Sequence, residues 1–181
     1  MINDNIIGLP SGKVLLFPYT VVWKRLYEEE KEILQVILGN NILDIQHIGS
    51  TSIPGMIAKP IIDMAIAVSN FEDAFINIRP IENLGYEYKG EFGILRRHYF
   101  VKGDPRTHHI HMVEIESQDW INQILFRDYL IQHPQSIKAY ADLKMELAKR
   151  FPTDREAYTD GKSPFIKQIL QLASYEKEIK S

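Results

Sequence analysis

Apolar positions along this chain follow three patterns in turn. Over residues 20–38, Val22, Leu26, Ile33 and Ile37 recur at helical spacing beside Trp23, Tyr27, Leu34 and Leu38, and Gly39 can end the helix. Leu43–Ile48 and Ile61–Val68 are short apolar runs that read as core strands. Between them Gly49–Lys59 forms a turn with room for one helical turn. Ser69 or Asn70 can cap a helix over 71–84, interrupted by Pro80 and closed by Gly85. Tyr86–Tyr88, Ile94–Lys102 and Thr107–Ile115 have strand character, separated by Gly90 and by Gly103-Asp-Pro-Arg106, and the last two predict an antiparallel hairpin. From residue 117 the pattern turns helical. Ser117 is a candidate N-cap, His133-Pro134 stops that helix, and two more follow over about 135–150 and 163–179. This predicts one α+β domain over 1–181, with a mixed α/β part over about 1–116 and a helical extension over about 117–181.

Charge and composition narrow the partners. A net charge of −3 gives no overall basic signature, so a long nucleic acid is not an expected partner. Lys144, Lys149, Arg150 and Arg155 still allow a local basic patch. Without cysteine there are no disulfides, thiolate metal sites or thiol nucleophiles. The N-terminus lacks a basic start and apolar run, and no apolar stretch approaches the roughly 20 residues of a membrane helix, so a cytoplasmic location without a membrane partner is expected. The oligomeric state is not legible.

The chemistry concentrates in two stretches. His47-Ile-Gly-Ser-Thr-Ser-Ile-Pro-Gly-Met-Ile-Ala-Lys-Pro-Ile-Ile-Asp63 joins two strands through a turn rich in backbone N–H groups and hydroxyls, which suits an anion such as phosphate. Gly49, Ser50, Thr51, Ser52 and Lys59 are the candidate phosphate contacts, and Arg96, Arg97 and Arg127 are further cations for the same purpose. For Arg127 an ion pair on the helix surface is the simpler reading. Strand alternation puts Asp63 on one face with Ile61, Ala65 and Ala67, and the larger Ile62, Met64, Ile66 and Val68 on the other. The carboxylate therefore has room for a ligand beside it. The second stretch is His108-His-Ile-His-Met-Val-Glu114. On a strand, His109 and His111 face one side, and His108 and Glu114 the other. With Gly103–Arg106 as the hairpin loop, His98 falls opposite His111 and Phe100 opposite His109. Three imidazoles and Arg96 would then share a face able to bind a metal, carry protons or donate to phosphate. Tyr158…Lys162 reaches a ligand only if the helices fold over the sheet. Walker, Rossmann and Gly-x-Ser-x-Gly patterns are absent.

His47-Ile-Gly-Ser-Thr-Ser-Ile-Pro-Gly…Ala58-Lys-Pro-Ile-Ile-Asp63 closely resembles the GrpB family, which has a nucleotidyltransferase-like fold. The resemblance continues through Tyr19…Trp23, His109-Ile-His-Met-Val-Glu114, Trp120…Phe126-Arg-Asp-Tyr-Leu130…His133-Pro134, Tyr140…Leu143-Lys144 and Tyr158…Lys162…Phe165. It implies a twisted mixed sheet packed with helices. It also implies that Gly49 and Ser50 hold phosphate, that Asp63 binds a divalent metal, Mg²⁺ or a transition metal, and that Glu114 stands as a third acid. The family-type second acid position holds Ala65, so the carboxylate pair that chelates two metals is missing. The alternative metal set is Asp63 with His109 and His111, and His47 as a further ligand.

Three functions follow, in this order. One is metal-dependent nucleotidyl transfer to a small acceptor, with Asp63 and His111 as catalytic residues and His109 or His111 completing the metal shell or activating the acceptor hydroxyl. Another is a non-catalytic module that binds a nucleotide or other phosphorylated small molecule, similar to the domain fused to dephospho-CoA kinase in some bacteria. The last is a single-metal phosphohydrolase.

Overall fold

The computed structural model describes residues 7–180. Helix α1 (Val22–Leu38) leads into strand β1 (Asp44–Ile48), a single 3₁₀ turn at Ser50–Ser52 and strand β2 (Ile62–Val68). A 3₁₀ turn at Asp73–Asn77 and the short helix α2 (Ile78–Glu82) precede strands β3 (Tyr86–Tyr88), β4 (His98–Lys102) and β5 (His108–Glu114). Helices α3 (Gln118–Gln132), α4 (Pro134–Arg150), α5 (Arg155–Asp160) and α6 (Ser163–Lys180) complete the chain. The five strands form one mixed sheet in the order β1-β2-β5-β4-β3, with β2 and β5 parallel and the other neighbours antiparallel. This is the expected α+β architecture. No helix among the described residues is long and apolar enough to cross a membrane.

The two faces of β2 divide the molecule. Ile62, Met64, Ile66 and Val68 join Trp23, Leu34, Phe100, Ile110 and Met112 in the main core beneath α1 and α2. Ala65 and Ala67 face the other way, where Trp120 of α3 packs on them with Ile48 and Val113. Small side chains there let the helical part lie close to the sheet. A further core joins the parts, with Ile53 and Met56 of the β1–β2 loop set among Tyr129, Leu130, Tyr140, Ile169 and Ala173. The N-terminal segment straps the same edge through Leu9 N–H to Arg106 C=O at 2.9 Å and Phe17 N–H to Ala58 C=O at 2.8 Å.

Several elements differ from expectation for identifiable reasons. The helix over 71–84 is only a 3₁₀ turn followed by five α-helical residues, because Pro80 lacks the N–H that a longer helix needs. Strand β4 begins at His98 rather than Ile94, because residues 91–97 form a turn in which Phe92 and Arg96 adopt positive φ, 46° and 61°. Helix α5, capped by Asp154 Oδ1 accepting from Ala157 N–H at 3.0 Å, was not foreseen.

The correction with chemical consequence concerns the β4–β5 hairpin. Lys102 pairs with His108, so the loop includes Thr107 and the register moves by one residue. His98 is then opposite Met112, and Tyr99 is opposite His111. A one-residue slip turns every side chain of a strand to the other face. His98 therefore lies on the far side, stacked on Phe71 with ring centroids 4.2 Å apart and with Nδ1 2.8 Å from the Tyr88 hydroxyl. The face with three imidazoles and Arg96 does not form. Tyr99 takes the place expected for His98.

Candidate functional site

Asp63 lies, partly buried, on the sheet face that the helical part covers. In the parallel β2–β5 ladder its Cα partner is His109, and Ala65 is opposite His111. His109 Nδ1 lies 2.9 Å from Asp63 Oδ1. A carboxylate only accepts, so Nδ1 carries a proton, and in the neutral ring Nε2 is the atom with the lone pair. That Nε2 is buried and without a partner among the described residues. Burial would raise the Asp63 pKa, but the His109 hydrogen bond, helped by the basic groups around it, outweighs burial and holds the carboxylate at about 2.

Gly49 closes the other side of the carboxylate. Its φ is 67°, and a Cβ there would sit 2.7 Å from Asp63 Oδ2. Only glycine satisfies both the left-handed backbone and the close approach. The hydroxyls of the following turn divide in role. Thr51 is buried, donates to Ile61 C=O at 3.3 Å and accepts from His47 Nε2 at 3.0 Å. Ser52 Oγ donates to Gly49 C=O at 2.6 Å. Both shape the loop. Ser50 Oγ instead accepts from the Lys144 ammonium at 2.8 Å.

Lys144 comes from α4 and is 2% exposed, and it also donates to Ile57 C=O. Burial lowers its pKa well below the ordinary lysine value. Lys59 and Lys162 lie on the ring of Tyr158, with Nζ 5.4 Å and 4.7 Å from its centroid. Burial, reinforced by neighbouring cations, lowers Lys59 to about 7; burial lowers Lys162 to about 8 with Arg155 adding to it. Arg155 is lowered too, first by burial and then by Arg106. Each of these four basic groups feels Asp63 as its attracting charge. Among the described residues none of them makes an ion pair with a carboxylate. A cluster of partly buried basic groups around one carboxylate is short of negative charge, which is the electrostatic condition for holding an anion.

The remaining predicted residues have other duties. Arg97 is 5% exposed and donates to Glu91 C=O and Phe92 C=O, with Nη1 3.2 Å from His111 Nδ1. Burial takes the His111 pKa down to about 3, so it is a neutral acceptor for Arg97. Glu114 is on the opposite face of β5 from His109 and His111, where Arg96 bridges it to Glu72 with contacts of 2.9 Å and 2.7 Å. It does not share a coordination site with Asp63. Arg127 pairs with Asp128 at 2.7 Å, as expected, and also donates to Gln46 Oε1 and His47 C=O, tying α3 to β1.

The resemblance in sequence implies a divalent metal at Asp63, and the donor set does not fit a metal pair. Asp63 has no carboxylate neighbour across Ala65, and one of its oxygens already accepts from His109. Among the described residues no group of three or more His, Asp or Glu side chains is placed to hold a metal ion.

The sequence points to Gly49, Ser50, Lys59 and Asp63 as candidates but does not show that Lys144, Lys162, Arg155, Tyr158 and Tyr99 gather near them. Lys144 and Arg155 were visible as part of a basic stretch and Lys162 as a conditional contact. Helical spacing alone does not say which of them reaches the sheet.

Comparison with known proteins bears on the family and the fold. Residues 13–172 match the family model described as GrpB protein. The UPF0157 protein YqkA of Bacillus subtilis (strain 168) is 45% identical over 159 residues, covering 87% of this chain and 46% of its own length, so the chain spans about half of that relative. The crystal structure of the conserved protein GrpB from Enterococcus faecalis superposes with a TM-score of 0.84 at 38% identity, over 90% of this chain and 99% of that one. The structure of Cid1 in complex with its short product ApU matches at TM-score 0.52 and 14% identity, over 74% of this chain and 43% of that one, a likeness of fold alone. A dephospho-CoA kinase of Mycolicibacterium paratuberculosis is 26% identical over 191 residues, covering 91% of this chain and 47% of its own length. The extent of the family match and the shared fold lead to one conclusion: the chain belongs to the GrpB family.

Proposed function

We propose that the basic cluster around Asp63 binds a phosphorylated small molecule, a nucleotide first among them, with lysines rather than a metal pair neutralising the phosphates. The observation that carries this reading is the excess of cations around Asp63. Lys59 and Lys162 flank Tyr158, Lys144 rests on Ser50, and Arg155 belongs to the same field. A buried or half-buried ammonium without a counter-charge is costly, and a phosphate group placed among several removes that cost. The expected result is thermal stabilisation by nucleotides and by tripolyphosphate that persists in EDTA and is weakened in Lys59→Ala and Lys162→Ala. No shift with any nucleotide or polyphosphate, at millimolar concentration and low salt, would remove the reading.

A second reading, nucleotidyl transfer, is favoured by the Asp63–His109 pair. A carboxylate that fixes one imidazole tautomer leaves Nε2 as a base for the proton of an acceptor hydroxyl. That oxygen would attack the α-phosphorus, and pyrophosphate would leave toward the lysines. Incorporation of labelled nucleotide into an acceptor, lost in His109→Gln, would promote this reading above the first. Binding without turnover across a broad acceptor panel keeps it second.

A further inference from the structure

The loop between β3 and β4 holds large apolar side chains out of the core beside the site. Phe92 is 64% exposed and Leu95 is 81% exposed. Phe92 adopts φ 46°, a conformation that a bulky aromatic residue rarely takes and that the surrounding structure must hold in place. One buried arginine does so. Arg97, itself buried, donates to the backbone carbonyls of both Glu91 and Phe92, the latter at 2.8 Å. Arg96, at φ 61°, is anchored by Glu72 and Glu114.

The Phe92 ring is placed with a definite orientation. It stacks on Tyr99 with centroids 5.1 Å apart and planes within 19°. Tyr99 is buried, and its ring meets His109 at 5.5 Å and His111 at 5.0 Å, both on the Asp63 face. The guanidinium that fixes the Phe92 carbonyl also lies 4.7 Å from the Tyr99 ring centre and reaches His111. A continuous series of contacts therefore runs from an open aromatic ring through Tyr99 and His109 to Asp63.

We infer that Phe92 is the stacking platform for the nucleobase of the ligand whose phosphates enter the lysine cluster. This rests on the proposed anion site and adds the class of ligand: a nucleotide rather than a bare phosphate or sugar phosphate. One ring face is covered by Tyr99 and the ring remains largely accessible, which is the arrangement that base stacking uses. Basic groups around Asp63 and an open aromatic ring stacked on Tyr99, which itself packs on His109, complement the two ends of a nucleotide. Stacking tolerates any base, so the platform selects for a planar ring rather than a particular sequence of hydrogen bonds.

Isothermal titration of the full chain with ATP and with tripolyphosphate tests this. Phe92→Ala is expected to weaken ATP binding by about 5- to 100-fold and to leave tripolyphosphate binding unchanged, and Phe92→Trp is expected to keep ATP binding. Unfolding midpoints of both variants equal to the parent's show that the fold is intact, as the exposure of Phe92 leads us to expect. ATP binding equal to the parent's in Phe92→Ala overturns the platform and leaves the anion site standing. Equal losses for ATP and tripolyphosphate overturn it as well, since the loop would then only support the basic cluster. If the parent chain binds neither, the anion site falls and the platform with it.

Discussion

The Nδ1 of His109 lies 2.9 Å from Oδ1 of Asp63, and the two residues are also direct neighbours across the parallel β2–β5 ladder. Backbone pairing and side-chain pairing thus reinforce each other. The consequence is a carboxylate that stays ionised in a half-buried place and an imidazole with one defined tautomer. Around this pair the chain collects basic groups from both of its parts.

Removing only the charge of Asp63 should reveal its electrostatic share. The folded pKa is about 2 against an ordinary 3.8, so its contribution is present above pH 3.8 and is lost as pH falls through about 2. Asp63→Asn keeps an acceptor for His109 and should lower stability at neutral pH by about 1–2 kcal/mol. In urea titrations the gap from the parent should narrow between pH 5 and pH 2. A gap independent of pH would show that the charge does not stabilise the fold.

Gly49→Ala meets two obstacles at once, a positive φ and a Cβ at 2.7 Å from Asp63 Oδ2. We expect a loss of about 2–3 kcal/mol in stability. The steric part should be relieved when Asp63 is shortened, so Gly49→Ala combined with Asp63→Ala should lose less than the sum of the two single changes. Strict additivity in thermal or denaturant unfolding would contradict the close packing of Gly49 on the carboxylate.

Binding of an anion should depend on pH with a definite sign. Lys59 and Lys162 titrate at about 7 and about 8 in the free protein. An anion favours their protonated forms, so binding takes up protons, and tripolyphosphate affinity should fall as pH rises from 7 to 9. Calorimetry in two buffers of different ionisation enthalpy should detect the uptake. The free protein should show the opposite trend. The unfolded lysines titrate near 10.5, so the unfolded chain binds more protons between about 7 and 10.5, and stability gains from rising pH in that window.

Lys144→Met separates the cost of a buried ammonium from its use. Methionine fills similar volume, removes a buried cation and leaves Ile57 C=O without that donor. These effects oppose each other, so stability of the free protein should change by less than about 2 kcal/mol. Stabilisation by tripolyphosphate should fall at least about tenfold in ligand potency, a loss of about 1.4 kcal/mol. Unchanged potency would remove Lys144 from the site.

Sequence by itself determined much of this protein. Alternation in Ile62–Val68 placed Asp63 with Ala65 and Ala67 on the open face and the larger residues in the core, because a strand has only two faces and the bulkier one is buried. The periodic segments became helices with ends near those expected, and Ser117 caps α3 by accepting from Trp120 N–H. The Gly-Ser-Thr-Ser to Asp63 stretch was enough to recognise the family. Tertiary structure decided the rest. A single extra loop residue, Thr107, set the hairpin register and exchanged His98 for Tyr99 beside the site, a choice that local propensity does not encode. Lys144, Lys162 and Arg155 come within the electrostatic influence of Asp63 because small residues on the sheet let the helical part settle close. The period of a helix states which residues share a side, but not what that side will meet.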